Sequence, residues 1–142
     1  MTAGAPRHDR RRGGWGLGPH AAAASGAVVL ALAVAIGAFG THTLSGRLTA
    51  LRLDTLDTAV RYQFIGGLGL LLVAALTLAR GAAGAGAMRL AAALLLVGTV
   101  IFCGTLYGLV AGGPSWLGAI TPFGGVALIA AWLTVALAYI RR

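Results

Sequence analysis

The chain has 142 residues, 58% of them hydrophobic and 10% charged, with 11 basic residues (all arginine) against 3 acidic ones and a formal net charge of +8. A soluble domain is roughly 25% charged, so this chain cannot clothe a water-facing surface, and a mean hydropathy of +0.89 with a single cysteine excludes a disordered chain and a disulfide scaffold. The arginines sit in short flanks between long uncharged runs rather than on one folded face, which excludes a nucleic-acid surface and marks an integral membrane protein.

Residues 1–20 are rich in Arg, Gly and Pro and have no apolar period. They read as a flexible basic tail that sets topology, with a secondary capacity to lie on anionic lipid. The first uncharged run, about 21–44, is long enough to span, since about 20 apolar residues cross roughly 30 Å of hydrocarbon. Ala33-Val34-Ala35 resembles a signal-peptide cleavage site, but the run exceeds an h-region of about 7–15 residues. It therefore reads as a retained helix.

Residues 47–61 form more than a loop. At 100° per residue, Leu48, Leu53, Leu56, Ala59 and Val60 share one face. Arg47, Asp54, Asp57, Thr58 and Arg61 share the other, with Asp57 and Arg61 at the favourable i,i+4 spacing. Arg52 interrupts the apolar face. This pattern predicts a short amphipathic helix lying in the interface between the first two spans. The second span follows at about 62–79.

The run from Leu90 to Ile140 is too long for one crossing and must turn back at its only breaker cluster, Gly112-Gly113-Pro114-Ser115. The third span is thus about 90–111 and the fourth about 117–140. Two starts fit the fourth. In one, preferred here, Thr121 caps a helix that has Pro122 at its first position; in the other the helix begins at Leu117 and kinks at Pro122. The fold class is all-α: four transmembrane helices over residues 21–142.

With four spans, eight arginines (Arg7, Arg10, Arg11, Arg12, Arg80, Arg89, Arg141, Arg142) share one side and Arg47, Arg52 and Arg61 the other. The positive-inside rule then puts both termini in the cytoplasm of a bacterial inner membrane. Tyr62, Trp116 and Tyr139 fall near span ends, as an aromatic belt requires, whereas Trp132 falls mid-span and reads as a packing residue.

No Asp, Glu, Lys or Arg falls within a span, so the chain lacks the ionisable group that proton- or ion-coupled transport normally uses. His20 and His42 stand about 33 Å apart at helical rise and cannot share a haem within one chain. Cys103 reads as a small buried residue. No catalytic constellation, cofactor loop or metal-ligand spacing is visible, so no cofactor or metal is expected. The spans do hold small residues at intervals of four, with Gly104, Gly108 and Gly112 on the third and Ala33, Gly37 and Thr41 on the first. Together with Gly40 these are candidate helix-packing positions, within the bundle or in a homo-oligomer.

Four segments go further: Gly37-Ala38-Phe39-Gly40-Thr41-His42; Thr58-Ala59-Val60-Arg61-Tyr62-Gln63; Gly98-Thr99-Val100-Ile101-Phe102-Cys103-Gly104-Thr105-Leu106-Tyr107; and Ile120-Thr121-Pro122-Phe123-Gly124-Gly125. In order and spacing they resemble the small bacterial inner-membrane family known as domain of unknown function 423, which reads GAFGAH, TGxxYQ, LFSGSLY and TPxGG at these places. The resemblance covers about residues 25–140 and implies a four-helix membrane protein with no established activity. The family commonly carries a second histidine shortly after the Tyr-Gln pair, where this chain has Gly66, so a role needing two membrane histidines is not expected.

Under the expected topology all four segments fall in the outer half of the bundle. Their polar residues, His42, Tyr62, Gln63, Thr105, Tyr107 and Thr121, form a candidate outer-face cluster, since an unpaired polar group in hydrocarbon is costly. Either they satisfy one another and pin the helices together, or they line a small cleft open to the outside. His42 is expected to hydrogen-bond to Gln63, Tyr107 or Thr121. The function that follows is a non-enzymatic structural or accessory protein, with the lipid bilayer as its partner. The alternative is a small-solute channel or transporter without proton coupling.

Overall fold

A computed structural model describes residues 16–44, 46–81 and 84–140. Most of the basic tail, His8, Arg141 and Arg142 lie outside the described residues, as does the side chain of Thr41. Four helices cover nearly everything else: α1 (Pro19–Phe39), continued by a π-helical turn over Gly40–Leu44, α2 (Ala50–Arg80), α3 (Ala85–Val110) and α4 (Leu117–Ile140). All four are long and apolar enough to cross a membrane. The chain is a four-helix integral membrane protein.

Each helix packs chiefly on its neighbour in sequence, and α1 touches α3 only lightly. The four therefore form an open row in which α2 and α3 are central and heavily buried, while α1 and α4 each bury three residues. The boundaries follow local rules. Pro19 opens α1, where its missing N–H costs nothing. Thr49 caps α2, its hydroxyl accepting from the Arg52 amide at 3.4 Å. At the end of α3 the Gly113 amide donates to Gly108 O (2.8 Å) and the Gly112 amide to Leu109 O (3.1 Å), with Gly112 at φ +87. That is a Schellman closure, and it needs a left-handed residue where Gly112 stands.

Two expectations are corrected. The amphipathic stretch is helical, but it is no separate interfacial helix: it forms the first three turns of α2. Its apolar face lies on α1 instead of on lipid, with Leu56 and Ala59 buried. A Cβ on Gly40 would come 2.7 Å from a Leu56 methyl, and one on Gly37 3.3 Å from Val60. Protein surface outcompetes the interface here because α1 and α2 leave small residues opposite large ones.

The second correction concerns α4, which begins at Leu117 with Pro122 inside it. Successive i→i−3 bonds from Leu117, Gly118 and Ala119 carry the chain from the 112–115 turn directly into helix. Pro122 then forfeits one bond near the start of the helix, where the loss is least disruptive. Thr121 consequently does not cap; its hydroxyl faces back to Leu117 O at 3.1 Å.

Arg52 and Arg80 stand about 42 Å apart along α2, close to the roughly 40–45 Å of a bilayer with its headgroups. Toward the Arg80 end the interior is mostly hydrocarbon: Leu70, Val73, Met88 and Leu95 are fully buried, joined by Leu128 and Ala131 of α4, and the buried Thr77 donates to Val73 O of its own helix at 2.6 Å. Trp132 packs beside them on Gly69. The opposite end, where Thr49 caps α2, holds the polar residues.

Candidate functional site

The polar residues of the Thr49 end resolve into two clamps rather than one cluster. Gln63, 6% exposed, faces away from lipid on α2. Its Nε2 donates to the backbone carbonyl of Val29 on α1 at 2.9 Å, and its Oε1 accepts from the Tyr107 hydroxyl on α3. One amide thus ties three helices, and both of its ends are used.

The second clamp joins α3 to α4. Thr105 Oγ1 and Thr121 Oγ1 lie 2.8 Å apart, while Thr105 also approaches Ile101 O at 2.8 Å and Thr121 approaches Leu117 O at 3.1 Å. Thr105 lies 3.0 Å from Phe102 O as well, so two hydroxyl protons serve four contacts. With one proton each, one threonine donates across the pair and the other donates back along its own helix.

His42 and Tyr62 stand outside both clamps. The His42 side chain is exposed, and the expected bond to Gln63, Tyr107 or Thr121 is absent. The reason is vertical offset. Counting span two from Tyr62 put Gln63 at the level of His42, but α2 starts three turns earlier, and the Gln63–Val29 bond fixes Gln63 opposite the middle of α1. His42 lies thirteen residues past Val29, about 20 Å further along the axis. Tyr62 is 38% exposed and lays its ring on Phe102, centroids 4.6 Å apart.

The glycine expectations divide. Gly37, Gly40 and Gly108 sit in tight contacts, the last with Leu117 of α4. Gly112 serves the turn instead. Gly104 packs on nothing: it is exposed, and a Cβ there would meet no atom within 4 Å. The closest backbone approaches between helices lie at positions outside the helix-packing set read from the sequence. Gly26 meets Gly67 between α1 and α2, and Gly124 meets the Phe102 amide, where a Cβ would come within 2.5 Å. A periodicity of four was the wrong signal for these. The TPxGG segment does contain Gly124, and its role is this α3–α4 contact.

Gly66 is also filled from across the bundle, because a Cβ there would fall on the Thr99 hydroxyl. That hydroxyl is unusual. Each of the other threonines of α2, α3 and α4 lies within hydrogen-bond distance of the carbonyl four residues earlier, whereas Thr99 Oγ1 is buried without a hydrogen-bond partner. Cys103 is free and buried one turn further on. Among the described residues no three His, Cys, Asp or Glu side chains come together.

The family model described as "Protein of unknown function (DUF423)" matches residues 36–125. The UPF0382 membrane protein YwdK of Bacillus subtilis is 41% identical over 116 residues, covering 82% of this chain and 93% of that protein. A UPF0382 membrane protein of Staphylococcus haemolyticus, SH2409, is 38% identical over 76% of this chain and 85% of its own length. The UPF0382 inner membrane protein YgdD of Escherichia coli K12 is 32% identical over 76% of this chain and 80% of its own. No solved structure matches the chain. The chain belongs to the DUF423 family of membrane proteins.

Proposed function

We propose that this DUF423 protein is a non-enzymatic, structural or accessory component of the bacterial cytoplasmic membrane, with both termini in the cytoplasm and its polar residues serving to hold helices together. The observation that carries the reading is Gln63, whose amide is spent on both sides between α1 and α3. A channel-lining or catalytic amide would keep one end free for solute or substrate. The Arg80 half supports the same reading, since a solute path would have to pass Leu70, Val73, Met88 and Leu95, all fully buried. The cytoplasmic placement of the termini rests on the eight-to-three division of arginines between the two sides. The name of the Escherichia coli relative supports the choice of membrane.

Two measurements test the proposal. A reporter active only in the periplasm, fused after Arg142, is expected to be silent; activity would overturn the topology. Liposomes carrying the purified protein are expected to swell no faster than empty ones in isosmotic sugars, amino acids or urea. Faster swelling that Gln63→Leu abolishes would replace the structural reading with a channel.

A further inference from the structure

We infer that the gap between α1 and α3 holds one acyl chain of an anionic membrane phospholipid, whose phosphate meets Arg52. This goes beyond the structural role proposed above and does not depend on it. The gap exists because α1 and α3 both pack on α2 and scarcely on each other. Its deeper part, a cavity of about 250 Å³, has Leu32 and Ile36 of α1 on one side, Val100 and Gly104 of α3 on the other, and Gln63 and Thr99 at its floor. Its surface is almost wholly apolar: each end of the Gln63 amide is bonded to a neighbouring helix, and the Thr99 hydroxyl is turned onto Gly66 of α2. Leu32 and Val100 are 52% and 60% exposed, so the trough opens sideways into the hydrocarbon of the bilayer.

A second cavity of about 510 Å³ continues it toward the Thr49 end. The two meet at Ile36 and Tyr107, and the second is lined by Leu44, Leu48, Val110 and the side chain of Arg52. Arg52 reaches over the end of α3, a terminal nitrogen lying 3.7 Å from the Cβ position of Gly112. Among the described residues its guanidinium has no carboxylate partner. The one salt bridge among the described residues joins Asp57 to Arg61, and Asp54 points about 200° round the helix from Arg52.

The depth of the trough selects the occupant. Gly66, against which its floor closes, is fourteen residues from Arg52 and fourteen from Arg80. If the two arginines mark the headgroup levels, the floor lies about 21 Å from each, at the middle of the bilayer. The trough is therefore one leaflet deep, apolar along its length, open to lipid at its side and cationic at its mouth. That is the shape and charge of a single phospholipid chain below its phosphate.

The test uses the full-length protein in mild detergent with equal phosphatidylglycerol and phosphatidylcholine, and native mass spectrometry counts what stays bound. One lipid per chain is expected, phosphatidylglycerol over phosphatidylcholine. Arg52→Gln, an exposed change, is expected to cut that preference roughly fivefold, the worth of one arginine near a lipid phosphate. Gly104→Leu fills open space in the trough and is expected to remove bound lipid of both kinds while melting stays unchanged. The proposal is overturned if Gly104→Leu retains lipid like the parent or if Arg52→Gln keeps the preference. Displacement of the lipid by inorganic phosphate alone would overturn it too, by making the site one for free anion. So would a lipid-free dimer that Gly104→Leu converts to monomer, because a second copy would then fill the trough.

Discussion

The two halves of this bundle are held by different means. From Arg80 to about Gly66 the helices are joined by buried aliphatic side chains, with Leu70, Val73, Met88, Leu95, Leu128 and Ala131 in one continuous core. From Gln63 toward Thr49 the interior loses bulk, and in its place come the Gln63 bridge and the Thr105–Thr121 pair. Within lipid there is no hydrophobic drive between helices, so association rests on close packing and on hydrogen bonds. The Arg80 half relies chiefly on the first, with one interhelical bond at its end from the Arg80 guanidinium to the Ala138 carbonyl at 2.9 Å, and the Thr49 half adds the second to its glycine contacts. Packing distributes its energy over many contacts; hydrogen bonds concentrate it in a few atoms that single substitutions can remove.

Stability measurements in detergent separate the two halves. The largest loss is expected from Leu95→Ala, which opens a cavity in the solid half and should cost about 2–5 kcal/mol; a loss below that of Gln63→Leu would invert the comparison. Next comes Gly124→Ala, where the added carbon meets the Phe102 backbone and α4 must move off α3. It should cost about 1–3 kcal/mol and perturb Thr105–Thr121 as well, visible as a smaller additional cost of Thr121→Val in the Gly124→Ala background. The smallest effect is expected from His42→Ala. With no side-chain partner among the described residues, it should change stability by less than about 0.5 kcal/mol, and a larger drop would mean that His42 is joined to the bundle after all.

Much of this was legible in the sequence. Uncharged run lengths gave four crossings, the Gly-Gly-Pro cluster gave the third turn, and polar residues in hydrocarbon announced hydrogen bonds. Gln63, Tyr107, Thr105 and Thr121 do make them. Their register was harder to read. The charges of Arg52, Asp54, Asp57 and Arg61 suggested a helix at the interface ending before Tyr62, yet nothing between Arg61 and Tyr62 breaks a helix, and α2 runs on for 31 residues. The missing breaker was the available signal. Overlooking it raised Gln63 to the level of His42 and produced a cluster of six where there are two clamps. Small-residue spacing located the tight contacts of Gly37, Gly40 and Gly108 but not the rest: it marks faces along one helix, whereas close approach needs a small residue opposite a specific partner, as Gly26 is opposite Gly67.

Whether Gln63 and Tyr107 fasten helices together is decided by a double-mutant cycle. Unfolding free energies of the parent, Gln63→Leu, Tyr107→Phe and the double variant give the coupling between the two side chains. A coupling of roughly 0.6–2 kcal/mol is expected, the range for hydrogen bonds between transmembrane helices. Additive single losses, with no coupling beyond experimental scatter, would contradict that role and leave the Thr49 half without its fastening.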